Sequence, residues 1–179
     1  MTGVQTCALP ISMYTLLSTA LDHDFGASAQ DTAIAMACFG TGATSGGILG
    51  GRMADRIGAK RFVQLSFSLM LISFFVGCFV YQRHCYLVLL INLFVIAFAA
   101  YGFFPAIQTC AAQNFLIRRP TVLGLMSSAL YVGISLGAST ATEIFNLFGM
   151  DSVFLVSALA ALIGWLSSKM IKLNFSQPN

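Results

Sequence analysis

Charge is what this chain has least of. Only 8% of its 179 residues are Asp, Glu, Lys or Arg, against roughly 25% in a soluble domain. Hydrophobic residues make up 58% and the mean hydropathy is +0.84. That balance excludes a single core wrapped in a polar shell; the residues fall into long uncharged runs, with no soluble domain and no low-complexity linker among them. The net charge of +3 does not point to nucleic acid, because the Lys and Arg residues sit at the ends of apolar runs and form no patch. Histidine is scarce too. His23 and His84 both fall in polar loops, so no nucleophile and base face each other at depth, and the chain does not read as an enzyme. Metal and cofactor chemistry lacks its ligands. Cys38, Cys78, Cys85 and Cys110 show no metal-ligand spacing, and Asp22-His23-Asp24 offers one His and two carboxylates with no fourth ligand. Cys78 and Cys85 fall near the same surface, which leaves a disulfide between them open.

The apolar runs that remain predict an all-α, polytopic membrane protein of six helices, over residues 12–21, 32–54, 62–81, 86–106, 122–148 and 153–170. The first is incomplete: ten residues reach only about 15 Å as a helix, half of a hydrocarbon core of roughly 30 Å. Ser28-Ala29-Gln30-Asp31 reads as a capping box that opens the second helix. Pro105 should kink or end the membrane part of the fourth, with 107–117 continuing toward the surface. Pro120 suits the first turn of the fifth. Gly149-Met150-Asp151-Ser152 is a tight reversal with Asp151 or Ser152 as N-cap. Residues 173–179 form a polar tail.

The first eleven residues stand apart. Met1 to Ile11 match the translation of a common sequencing-library adapter read from a GTG start, and they lack the cationic n-region of a signal peptide. Residues 1–11 are therefore set outside the fold, and the chain is expected to be a fragment whose six-helix unit covers 12–172.

Sidedness follows from the cations. If the turn around Asp55 is cytoplasmic, alternation places eight of the nine Lys and Arg residues on that side and leaves only Arg83 outside. Asp22, Asp24, Asp31 and Asp151 then fall on the outer side. The positive-inside rule requires this orientation, with the C-terminus cytoplasmic. Tyr81 and Tyr86 sit at the outer interface and Trp165 toward the inner one, as aromatic anchors.

The densest polar feature is the turn Gly51-Arg52-Met53-Ala54-Asp55-Arg56-Ile57-Gly58-Ala59-Lys60-Arg61, wedged between two uncharged runs. It resembles the signature loop between the second and third helices of each half of the major facilitator superfamily, Gly-x-Leu-Ala-Asp-Arg-x-Gly-Arg-Lys. Gly51, Ala54, Asp55, Arg56, Gly58 and Lys60 match; Met53 replaces the Leu, and Ala59 replaces a basic residue whose charge Arg61 restores. The resemblance implies a half-bundle of that fold, in which the Asp meets a helix N-terminus of the other half and the Arg latches the cytoplasmic side. Gly124, Gly133 and Gly137 are similar in spacing to the antiporter motif of the superfamily, although Ala138 and Ala141 stand where it has Pro and Gly. Gly42, Gly46 and Gly50, four residues apart, form a close-packing face. The absence of a buried Arg between Tyr86 and Ile117 favours the C-terminal half. Phe104-Pro105-Ala106-Ile107-Gln108-Thr109 and Gly124-Leu125-Met126-Ser127-Ser128-Ala129 resemble the bacterial drug- and sugar-efflux branch.

What the resemblance implies is proton-coupled efflux of a small amphipathic solute by alternating access in the bacterial inner membrane, with lipid, protons, a solute and the missing N-terminal half as partners. Candidate cavity or coupling residues are Glu143, the one acid within a span, with Asn92, Gln108, Tyr101 and Tyr131. The competing readings are a structural or regulatory membrane subunit, which would not call for the charges of the turn, and a truncated fragment without function.

Overall fold

The computed structural model describes residues 8–83, 85–114 and 118–170. It contains six helices: α1 (Ala8–Phe25), α2 (Ala29–Ile57), α3 (Ala59–Gln82), α4 (Tyr86–Asn114), α5 (Arg119–Phe148) and α6 (Met150–Met170), with no strand among the described residues. By length and composition α2 to α6 can each cross a membrane. The all-α reading holds. His84, the tail and residues 1–7 lie outside the described residues.

Local chemistry sets the boundaries. Ser28 and Asp31 cap α2 reciprocally: the Asp31 N–H donates to Ser28 Oγ at 3.2 Å, and the Ser28 N–H donates to Asp31 Oδ2 at 3.1 Å. Between α2 and α3 the reversal takes one residue, Gly58, at φ +87°. An L side chain is disfavoured there, so glycine ends one span and starts the next. Gly149, at φ +79°, does the same between α5 and α6. α6 begins at Met150, earlier than expected, which puts Asp151 in its first turn and not at the N-cap. A carboxylate there still complements the N-terminal partial charge. α1 runs from Ala8 to Phe25, beyond the expected 12–21 at both ends, so residues 8–11 are helical and His23 lies in the last turn of the helix, not in a loop. α4 continues through Pro105. Proline removes one i→i−4 hydrogen bond, and the apolar segment around it keeps the remaining ladder worth forming where water is absent.

Packing follows small residues. Gly42, Gly46 and Gly50 are buried, and a Cβ on any of them would come within 3.0 Å of α4 backbone, at Phe94, Phe98 and Gly102 in turn. Both series step by four residues in the same direction, so α2 and α4 run parallel with their backbones in contact. α3 runs antiparallel to α6. Near one end Gly77 leaves room for Phe154, and Phe154 also meets the Tyr81 ring at 5.9 Å. Leu17 and Leu21 of α1 complete a core with Phe67, Met70, Phe74, Leu93, Ile96 and Phe103. α1 packs mainly on α5.

Charge is sorted to the two ends. Asp22, Asp24, Asp31 and Asp151 gather at the end where α1 stops and α2 starts. Arg52, Arg56, Lys60, Arg61, Arg118, Arg119 and Lys169 occupy the opposite end.

Candidate functional site

The signature turn is a packed object as well as a charged one. Ala54 of α2, Phe62 of α3 and Ala106 of α4 form a small buried cluster beneath it, flanked by Ala59 and Val63. The Phe62 N–H donates to the Gly58 carbonyl at 3.0 Å, which starts α3. With its small residues facing inward, the turn presents Arg52, Asp55, Arg56 and Arg61 outward; Lys60 is half-buried. None of these five makes an ion pair among the described residues. Gly51 faces open space. The turn is thus packed on its inner side, and its cations and one carboxylate are unpaired among the described residues.

α2 carries a second glycine stripe. Gly40, Gly47 and Gly51 point away from α4, and a Cβ on any of them would meet nothing described within 4 Å. α5 is more open still, with only Gly133 and Ala141 buried, Gly137 half-buried and Gly124 in open space. Tyr131 is 70% exposed. The hydroxyls on these two helices are turned back on their own backbones: Thr44 donates to the Gly40 carbonyl, Thr140 to Leu136 and Thr142 to Ala138, each at 2.8–2.9 Å. Such bonds satisfy a hydroxyl without a partner helix and leave its oxygen able to accept. Glu143 is exposed on α5 and has no hydrogen bond or ion pair among the described residues.

The five candidate cavity residues do not share one place. Tyr101 sets its ring edge-on to Phe39 of α2 at 6.3 Å, and Phe39 meets Tyr14 of α1 at 4.9 Å. This aromatic row across three helices was missed in the sequence, where nothing in the spacing pairs residues on separate helices. Gln108 is half-buried further along α4. Asn92 lies elsewhere: it is buried against Gly77 and Phe154, between α3, α4 and α6, and its Nδ2 has no partner among the described residues.

At the acidic end, side chains tie the helices together. The Tyr81 hydroxyl of α3 donates to Asp24 Oδ2 of α1 and lies 3.3 Å from the Ala20 carbonyl. Gln82 Nε2 donates to Asp151 Oδ2 of α6 at 3.3 Å. The Tyr86 hydroxyl of α4 donates to the Asp31 carbonyl of α2. Asp24, Tyr81, Gln82 and Asp151 border a cleft of about 410 Å³ that also takes in His23, Phe148 and Met150. His23 Nδ1 sits 2.7 Å from Asp24 Oδ1; that hydrogen bond, then the carboxylate charge, raises the imidazole pKa above its ordinary value. Cys38, Cys78 and Cys85 are free thiols, and no group of three metal-ligating side chains occurs among the described residues.

The described residues thus form six packed helices, five of them apolar enough to span a membrane, with a charged turn after the second and open faces on the second and fifth. No curated protein matches the chain. The family model of the Major Facilitator Superfamily matches residues 4–175. The chain belongs to that superfamily of secondary transporters.

Proposed function

We propose that this chain is the C-terminal six-helix half of a proton-coupled exporter of the bacterial cytoplasmic membrane, with its C-terminus in the cytoplasm. The observation that carries the reading is the division of α2 into two glycine faces. One is filled by α4, while the other is unfilled, and α5 too is exposed along most of its length. Backbone-deep small-residue faces are how membrane helices approach one another, and a second bundle seated there would enclose a central path between the halves.

That path would be lined on this side by Tyr131, Val132 and Ser135, all exposed and on one side of the helix. Mixed aromatic, aliphatic and hydroxyl character suits an amphipathic solute such as a drug or a sugar. Glu143, exposed on the same helix, is the proton carrier in this reading, since an acid within a span is held there at a cost. The unpaired charges of the turn are then contacts for the other half when the cytoplasmic side closes.

The test is efflux from everted vesicles containing the chain alone, the N-terminal half alone, or both. Transport is expected only when both are present, and Glu143→Gln should abolish the proton dependence of what remains. Drug or sugar efflux by this chain alone would overturn the proposal. The genomic sequence upstream of Ser12 would test the adapter origin of residues 1–11.

A further inference from the structure

α3 and α6 form the side of the bundle opposite in character to the open glycine faces. On α3 the exposed residues Leu65, Ile72 and Phe79 fall on one stripe, and Arg61 ends it. On α6 the exposed Leu159, Leu162 and Leu166 fall on another, and Lys169 ends that one. Steps of three, four and seven residues keep each series on a single helix face. Two adjacent apolar stripes therefore each terminate in a cation.

The two cations lie within about one helical turn of the same depth. The Gln82–Asp151 hydrogen bond and the Gly77–Phe154 contact fix the antiparallel register of α3 and α6. From Asp151 to Lys169 the helix advances about 27 Å, and from Gln82 to Arg61 about 32 Å, at ~1.5 Å per residue. Each distance is close to one hydrocarbon thickness of roughly 30 Å. Lys169 Nζ stands 3.7 Å over the Trp165 ring centroid, which holds the ammonium at the interface.

Asp55 in the turn is the one described carboxylate at this end, and it pairs with neither cation. α3 contains no acid and α6 only Asp151, at the far end. No ion pair engages Arg61 or Lys169 among the described residues. An occupant has to bring the anion, and it has to bring apolar surface long enough to run along the stripes.

We propose that the α3–α6 pair binds an anionic phospholipid, its phosphate between Arg61 and Lys169 and its acyl chains along the two apolar stripes. Basic pockets between membrane helices are suited to such headgroups. The proposal rests on the transporter reading only in taking α3 and α6 as lipid-facing, and its test needs no efflux. Native mass spectrometry of the detergent-purified full chain, titrated with dioleoyl phosphatidylglycerol or dioleoyl phosphatidylcholine, measures the preference. The anionic lipid should bind more tightly, and Arg61→Gln with Lys169→Gln should weaken it by roughly tenfold. Arg118→Gln with Arg119→Gln, which removes the same charge elsewhere, should leave it nearly unchanged. Arg61→Lys with Lys169→Arg should retain binding, which separates a lost site from a misfolded chain. Equal binding of the two lipids overturns the proposal. So does an equal loss in both Gln double variants, which would mean diffuse attraction by net charge. Failure of efflux with lipid binding intact would remove the transporter reading and leave this site standing.

Discussion

Even a methyl group does not fit between α2 and α4 at their glycine contacts. At Gly46 a Cβ would enter the space of Phe98 backbone, which cannot rotate aside as a side chain can. The helices would have to separate, an overpacking cost of about 1–3 kcal/mol. Gly47 is its neighbour in sequence and its opposite in environment, with open space where the Cβ would go. We predict that Gly46→Ala lowers the thermal unfolding midpoint of the purified chain and that Gly47→Ala does not, measured by loss of helical circular dichroism in detergent. In the paired transporter Gly47→Ala should reduce efflux without that loss of stability, because the open stripe is where the other half is proposed to seat. Gly58 makes a different use of the same residue type. Its φ of +87° lets α2 and α3 reverse in one step, and the Ala54–Phe62–Ala106 cluster then holds the charged turn in place.

At the scale of elements, a polar link joins α1 to α3. The C-terminal turn of α1 is tied by the Tyr81 hydroxyl, which reaches Asp24 and the Ala20 carbonyl together. A hydrogen bond to a charged acceptor contributes about 1.5–3 kcal/mol. The Phe25 ring adds an edge contact to Tyr81 at 5.1 Å, which survives loss of the hydroxyl. Tyr81→Phe is therefore expected to leave the bundle folded while speeding amide hydrogen exchange in residues 20–25, with α4 exchange unchanged. Unaltered exchange in that turn would show that apolar packing of Leu17 and Leu21 suffices to hold it. α2 needs no such tie at its start, because Ser28 and Asp31 satisfy its free N–H groups locally.

For the whole molecule, the separation of acidic and basic ends gives the bundle a direction in the membrane. Seven described cations lie at one end, and four described acids at the other. The positive-inside rule turns that polarity into an orientation. Reporter tags inserted after Gly58 and fused to the C-terminus should both read as cytoplasmic, and a tag at Gly26 should read as external. Tags at Gly58 and the C-terminus on opposite faces would mean an odd number of crossings between them and would contradict the antiparallel register of α3 and α6.

The sequence by itself determined the number and order of the spans, the capping box, the glycine reversals and the polarity of the ends. These depend on local quantities: the hydropathy of a run, a residue able to take positive φ, a charge too costly to bury. It also made the Gly42, Gly46 and Gly50 series visible as a packing face, though not which helix fills it. Helix ends were less legible. α4 passes Pro105 and α6 starts at Met150 because tertiary packing decides how far a helix persists beyond its weakest residue. Only the tertiary structure decided which helices meet. It placed Asn92 with Gly77 and Phe154 instead of on the face of Tyr131, and it joined Tyr14, Phe39 and Tyr101 from three helices. Such pairings are properties of register between helices, and the spacing along one chain does not encode them.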